Sequence, residues 1–353
     1  MAKKQTAAAA SIEGWLNEGI EKMAIKLDAK VVAAQHALEA QLGLGVAGGS
    51  FFSQRIVGAT FASVGAGNQP INNSNLIGTG ISEKTTQGSL TGETCIRVYV
   101  SQKVNLGAIQ SGAVPKEING VPTDVVECGP ISFSAINGGF FTRPIPSGVG
   151  VAPEGSNMVG TLGARCVADN KWCILSNNHV FALNNQMPLG TMIVQPVFGS
   201  HPSYSIGRLL KFVPLSETTA NTVDAAIAHT DPAYVSSSHR SFTVTDQPTA
   251  AFGGQSVRKD GYMTGGTSGR VVTLNVSIPV QTHTGKVYNF TNQIEINGNG
   301  GLFSTGGDSG SLIVEDGTFR PVALLFAGDD QTGRTFATPI QLVMQALGIT
   351  DFK

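Results

Sequence analysis

Apolar residues recur at steps of three and four through Leu16, Ile20, Met23, Leu27, Val31, Ala34 and Leu38, the spacing of one face of an α-helix. Ser11 is placed to cap its start and Gly43 to end it, so a long amphipathic helix is expected within residues 1–44. A single stripe buries only one side, so this helix should pack on the body of the chain, on a second copy or on a partner. Residues 45–142 change character: Gly- and Asn-rich loops separate short β-like runs such as Ile96-Arg97-Val98-Tyr99-Val100, which reads as a small α+β domain. Asn119-Gly120 between Ile118 and Val121 is the strongest local signal for a tight hairpin. Arg143-Pro144-Ile145-Pro146-Ser147-Gly148 offers repeated breaks and little periodicity, the look of a linker. From Gly160 onward short apolar runs alternate with Gly, Asn and Asp turns about every ten residues, which predicts a sandwich or a barrel.

Composition sharpens this picture. Only 13% of the 353 residues are charged and 44 are glycine, against roughly 25% charged in an average soluble protein, so a low-charge, turn-rich β architecture is favoured. The 23 basic residues nearly cancel the 24 acidic ones and form no basic stretch, so a nucleic-acid partner is not expected. Glu13, Asn17 and Glu18 interrupt the N-terminal region before an apolar stretch develops, so neither a signal peptide nor a membrane span is expected and the cytoplasm is the default location. The four cysteines, Cys95, Cys128, Cys166 and Cys173, are too few for a disulfide framework and lack metal spacing. A hairpin turn at Asp169-Asn170 would set Cys166 across from Cys173, as packed thiols or, under oxidation, a bridge.

Three short segments carry the chemistry. Gly306-Gly307-Asp308-Ser309-Gly310-Ser311 precedes the strand-like run Leu312-Ile313-Val314. A serine hydroxyl needs a base, an exposed bend and backbone N–H groups aimed at the developing oxyanion, and flanking glycines suit such a bend. Asp224-Ala225-Ala226-Ile227-Ala228 would carry a carboxylate into the interior, where it must be paired. His179 closes an apolar strand that gives way to the polar turn Ser176-Asn177-Asn178. His36, His201, His229, His239 and His283 lack that context, and Asp231, followed by Pro232, reads as a turn.

Together, Ser176-Asn177-Asn178-His179-Val180, Asp224-Ala225-Ala226-Ile227 and Gly307-Asp308-Ser309-Gly310 resemble the three signature segments of the chymotrypsin/trypsin-like serine peptidases, in that family's order His, Asp, Ser. The resemblance covers about residues 145–353 and extends to bacterial cytosolic peptidases of this kind. It implies a mainly β chain: a double β-barrel peptidase domain over residues 143–353, preceded by the small α+β domain (45–142) and the N-terminal helix (1–44). It further implies a serine endopeptidase with His179, Asp224 and Ser309 as triad and an oxyanion hole from the N–H groups of Gly307 and Ser309. Its substrate would be a polypeptide, with no metal or organic cofactor. By the same resemblance Phe303 stands six residues before the nucleophile, where the family often carries an acid, and Asp329 and Asp330, which could supply negative charge, follow the strand-like run Pro321 to Ala327 that would pair with substrate, so Phe303, Ala327, Gly328 and Asp329 are the candidate substrate-binding residues.

Arg55-Ile56-Val57-Gly58 resembles the family's activation-cleavage segment, which frees an N-terminus to pair with the aspartate before the serine. An intracellular peptidase needs restraint, so a regulatory partner or a second copy is expected at the N-terminal helix. The alternative is a catalytically latent or silent member of the same fold acting in peptide binding or assembly.

Overall fold

The computed structural model describes residues 29–42, 75–86, 89–103, 114–128, 143–197 and 204–353. Helix α1 (Ala29–Gln41) buries Val31, Ala34, Gln35, Leu38 and Glu39, a single face at helical spacing. The earlier part of the expected helix, and Arg55-Ile56-Val57-Gly58, lie outside the described residues. The α1 stripe packs on Ile81, Ile96, Val98 and Val121, so this part of it covers the chain's own sheet. That sheet consists of β1 (Leu76–Thr86), β2 (Ser89–Val100), β3 (Glu117–Ile118) and β4 (Val121–Glu127). Between β3 and β4, Asn119 and Gly120 both adopt positive φ (51° and 70°), the geometry of the expected two-residue hairpin.

The remaining strands form two barrels. The first uses β5 (Ile145–Ser147), β6 (Gly150–Pro153), β7 (Gly160–Thr161), β8 (Ala164–Ala168), β9 (Lys171–Ser176), β10 (Met192–Val194), β11 (Ser205–Phe212) and β12 (Ala226–His229). Its sheet runs β8-β9-β12-β11-β10-β6-β7. β7 and β8 are parted only by Leu162 and Gly163, so they act as one bent strand that closes the ring around Val151, Leu162, Ile174, Ile193, Ile206 and Ala228. A chain crossing, β13 (Val235–His239), leads to the second barrel. β13 pairs in parallel with β5, which corrects the linker expected at residues 143–148. The prolines break periodicity there, but Ile145 is buried in the first barrel's core and anchors the segment as a strand.

The second barrel is built from β14 (Ser256–Gly261), β15 (Gly265–Gln281), β16 (Val287–Gly298), β17 (Leu312–Glu315), β18 (Pro321–Asp329) and β19 (Arg334–Pro339). The order β14-β17-β18-β19-β16-β15 is closed by an additional β14–β15 pairing, so no strand edge is left open on this ring. β15 also pairs with β1, which joins the N-terminal sheet to the barrel as one ten-stranded surface. Helix α2 (Asn178–Phe181) interrupts the first barrel after β9. Helix α3 (Ile340–Leu347) ends at Gly348 in the left-handed conformation (φ 73°), the usual glycine stop, and β20 (Ile349–Phe352) then returns to pair with β8. Leu312, Leu324, Ile340, Val343 and Leu347 meet Ala164, Cys166 and Ala225 there, so the C-terminus packs the barrels against each other. No helix among the described residues is long and apolar enough to cross a membrane.

Candidate active site

The apolar register of β9 delivers His179. Cys173, Ile174 and Leu175 are buried in the barrel, and the chain leaves the strand at Ser176 into α2. Asn177 and Asn178 are polar yet fully buried, and their bonds explain why. Asn177 Nδ2 donates to the Asp224 carbonyl at 2.7 Å, while Asn178 Nδ2 donates to the carbonyl of Val213 and to Asn185 Oδ1, both at 2.7 Å. A buried amide left unbonded would cost about 1–3 kcal/mol, so these contacts tie α2 to the segment that carries Asp224. The Asp224 carboxylate, without solvent exposure, accepts the His179 backbone N–H at 3.2 Å on Oδ1 and meets the ring Nδ1 at 2.5 Å on Oδ2. One carboxylate thus fixes both the position and the orientation of the imidazole.

Ser309 comes from the loop that enters β17. Its carbonyl accepts the Thr161 N–H at 2.7 Å, and its Oγ donates to the Phe326 carbonyl in β18 at 3.3 Å. Gly160 sits between this loop and α2: a Cβ there would lie 2.4 Å from Val180 Cγ2 and 2.9 Å from the Ser309 carbonyl oxygen. Only a glycine allows the histidine segment and the serine segment to approach so closely. Gly310 (φ 94°) makes the matching approach from the other side, where a Cβ would lie 2.1 Å from Ser176 Oγ.

The loop's own N–H groups follow an alternation. Asp308 donates to Thr305 O at 3.1 Å, Gly310 to Leu325 O at 2.8 Å and Ser311 to Asp308 O at 3.0 Å. The N–H groups of Gly307 and Ser309 donate to no group among the described residues. Gly307 needs its positive φ (95°) for this turn, and its carbonyl is held by Thr161 Oγ1 at 2.8 Å. Gly307 and Ser309 thus present two backbone donors beside the serine hydroxyl with no partner among the described residues.

Asp308 points inward and is buried. Its carboxylate accepts the N–H of Met263 (2.8 Å), of Thr264 (3.2 Å) and of Thr305 (3.1 Å), the Thr264 hydroxyl (2.7 Å) and the ammonium of Lys259 (3.2 Å). Lys259 has no exposed side-chain surface either, and burial pulls its pKa below the ordinary lysine range while Asp308 acts to raise it. Lys259 was not legible as a site residue. Its signal in the sequence was weak: Lys259 stands between Arg258 and Asp260, and nothing in that charged run marks it as buried.

Of the four residues expected near the substrate, Ala327 and Gly328 lie on β18 immediately after the strand residue that Ser309 touches. Asp329 is buried and turned into its own loop, accepting the N–H of Gln331 at 2.9 Å. Phe303 is fully buried in the second barrel's core among Val257, Val271 and Ile296; the next residue, Ser304, bonds to Thr335. His36, His229 and His283 are exposed, His239 is buried in the chain crossing, and His201 lies outside the described residues.

Two closed barrels, with the histidine and aspartate from one and the serine from the other, define the chymotrypsin-like double β-barrel class. Solved structures similar to this chain are serine proteases of that class. Thermobifida fusca protease A is 19% identical over 59% of this chain and 97% of its own, with a TM-score of 0.43. Cellulomonas bogoriensis chymotrypsin is 18% identical over 58% and 96%, TM-score 0.40, and a glutamic acid-specific serine protease is 18% identical over 59% and 100%, TM-score 0.42. These are likenesses of fold. No protein-family model matches the chain, and no curated protein matches it.

Proposed function

We propose that this chain is a serine endopeptidase in which Ser309 is the nucleophile, His179 the general base and acid, and Asp224 the group that orients the imidazole. Asp224 accepts the Nδ1–H bond, which leaves Nε2 as the basic nitrogen. Nε2 takes the hydroxyl proton as Ser309 Oγ attacks the peptide carbonyl, and the carbonyl's π electrons move onto its oxygen. That oxygen is received by the N–H groups of Gly307 and Ser309, each such donor contributing about 2.7–4 kcal/mol to the transition state. Collapse expels the amine, which takes its proton from His179, and leaves an ester on Oγ. Water then attacks with His179 again as base, and Ser309 is regenerated.

The observation that carries this reading is the pair of unused N–H groups on Gly307 and Ser309, beside a serine whose loop Gly160 seats against α2, the helix bearing the Asp224-bound His179. The Lys259–Asp308 pair supports a further point: an internal cation already occupies the aspartate before the serine, so no newly cut N-terminus is required there. Activity is therefore expected of the uncut chain, and Arg55→Ala should leave it intact. The test is labelling of Ser309 by a fluorophosphonate probe. Labelling of the native chain that is lost in Ser309→Ala and in His179→Ala is the expected result, and a native chain that resists the probe would refute the reading.

A further inference from the structure

Gln293 is a polar side chain without solvent exposure in the middle of β16, and no step of the mechanism above uses it. A buried amide keeps such a place only where its hydrogen bonds are met. Those of Gln293 reach in two directions. Its Nε2 donates to the Thr222 carbonyl at 2.9 Å, two residues before Asp224, and to the Thr291 carbonyl at 2.5 Å. Its Oε1 accepts the Thr338 hydroxyl at 2.8 Å. Thr338 has no solvent exposure and pairs with Leu324 in the β18–β19 ladder. The next residue of β18, Leu325, seats the serine loop: its carbonyl accepts the Gly310 N–H at 2.8 Å, and its N–H donates to the Ser311 carbonyl at 3.0 Å. One buried side chain therefore bridges the segment that enters Asp224 and the strand pair that holds Ser309.

The backbone of β16 is shaped for this contact. Phe290 pairs with Ile278 and Gln293 with Val276, so Thr291 and Asn292 together stand opposite Ser277. Asn292 adopts a left-handed φ of 61°. Two residues facing one make a β-bulge, which re-aims the side chains beside it. At the same bulge the segment before Asp224 joins the strand. The Asn221 N–H donates to the Asn289 carbonyl at 2.8 Å, and the Thr291 N–H donates to the Asn221 carbonyl at 2.9 Å. The buried Asn221 side chain closes the loop behind it, with Oδ1 accepting the Ser216 N–H at 2.8 Å and Nδ2 donating to the Ser216 carbonyl at 2.9 Å. His179 and Asp224 come from the first barrel and Ser309 from the second, so their spacing depends on contacts between the barrels. Here those contacts are directional hydrogen bonds within two or three residues of Asp224.

We propose that Gln293 is a positioning residue: from the bulge of β16 it holds Asp224, and through it His179, in register with Ser309. This rests on the peptidase reading, and the experiment separates the two. The full chain and its variants Gln293→Met, Asn292→Val and Asn292→Gly are reacted with the fluorophosphonate probe over a range of concentrations. The readings are the maximal labelling rate, kinact, and the half-saturating concentration, KI. Methionine keeps the length of Gln293 and removes both amide contacts. Asn292 is exposed; a β-branched residue there resists the left-handed conformation, whereas glycine adopts it freely. In Gln293→Met and Asn292→Val, kinact should fall about 10- to 100-fold, the effect of a displacement of about 1 Å at reacting groups, with KI unchanged. Asn292→Gly should restore the native kinact. A purely structural role would lower the urea midpoint and leave kinact of the folded protein at its native value, and that result overturns the proposal while the peptidase reading stands. If Gln293→Met does not fold, the two Asn292 variants decide by the same readings. A native chain that resists the probe overturns the peptidase reading, and the positioning role falls with it.

Discussion

Lys259→Met removes a buried ammonium while keeping most of its volume, and its consequence can be worked from the contacts. Breaking a buried ion pair by deleting one partner costs about 3–5 kcal/mol, because the other charge is stranded. Asp308 would keep four donors, the N–H groups of Met263, Thr264 and Thr305 and the Thr264 hydroxyl, so the lower end, about 3 kcal/mol, is expected. Gly261 packs directly on the pair: a Cβ there would lie 2.3 Å from Asp308 Oδ1 and 2.7 Å from Lys259 Nζ. Because Asp308 sits between Gly307 and Ser309, its displacement also disturbs the two free N–H groups. Urea unfolding at neutral pH should show the stability loss. The fluorophosphonate labelling rate of the still-folded variant should fall about 10- to 100-fold, up to the loss of one oxyanion donor. The double variant Lys259→Met, Asp308→Asn removes the stranded charge and should recover part of the stability without recovering the labelling rate. A single variant as stable as the native chain and labelled as fast would refute the reasoning.

Gly160→Ala places a methyl group 2.4 Å from Val180 and 2.9 Å from the Ser309 carbonyl; it should cost about 1–3 kcal/mol as overpacking, and labelling should fall further than urea stability does. Burial pushes the His239 pKa down to about 4 from 6.5, with nearby Asp260 acting to raise it. The unfolded chain therefore binds the proton first, and stability should drop by about 3 kcal/mol as the pH falls from above 6.5 to 4; His239→Phe, stacking on Phe242 as the imidazole does, should flatten that part of the pH curve. Burial pushes the thiols of Cys95 and Cys128 up to about 12 and of Cys173 to about 11, and raises that of Cys166, so a native chain should react with less than one equivalent of a disulfide reagent and yield all four thiols only in denaturant. Glu295→Gln should cost about 3 kcal/mol by leaving the buried Arg97 and the partly buried Arg334 opposite a neutral group, measured by thermal or urea unfolding.

The double barrel was legible in the sequence where backbone chemistry is local. Asp169 and Asn170 take positive φ (48° and 60°) and set Cys166 directly opposite Cys173, as the turn residues alone require. His179 and Asp224 could be read because a polar residue that interrupts a buried apolar run must have a partner. What could not be read is set by contacts between distant segments. Lys259 finds Asp308 across 49 positions, and Ser304 finds Thr335 across 31; neither residue type announces its partner. Phe303 misled for the same reason. Its position before the serine suggested substrate contact, but the loop between β16 and β17 turns its large apolar side chain into the second barrel's core.

The N-terminal sheet, a segment with no readable chemistry, is joined to the second barrel by more than backbone pairing. Its strand β1 continues the second barrel through β15, and its Arg97 reaches Glu295, which has no solvent exposure, at 3.7 Å. Burial works to raise the Glu295 pKa, but Arg334 and Arg97 more than offset it, so the carboxylate is held below its usual range. Glu295 also accepts the Tyr99 hydroxyl at 2.5 Å, and Arg334, its second cation, donates to the Glu127 carbonyl at 3.2 Å. Three residues of the N-terminal sheet thus converge on one strand pair of the barrel. Arg334 immediately precedes Thr335, and its carbonyl lies 3.1 Å from the Cβ position of Gly328. The charge cluster that joins the N-terminal sheet to the barrel therefore also anchors β19 where it pairs with Gly328 of β18. The N-terminal sheet is therefore bound to the barrel by buried charge as well as by backbone pairing, which a linker between independent domains would not produce.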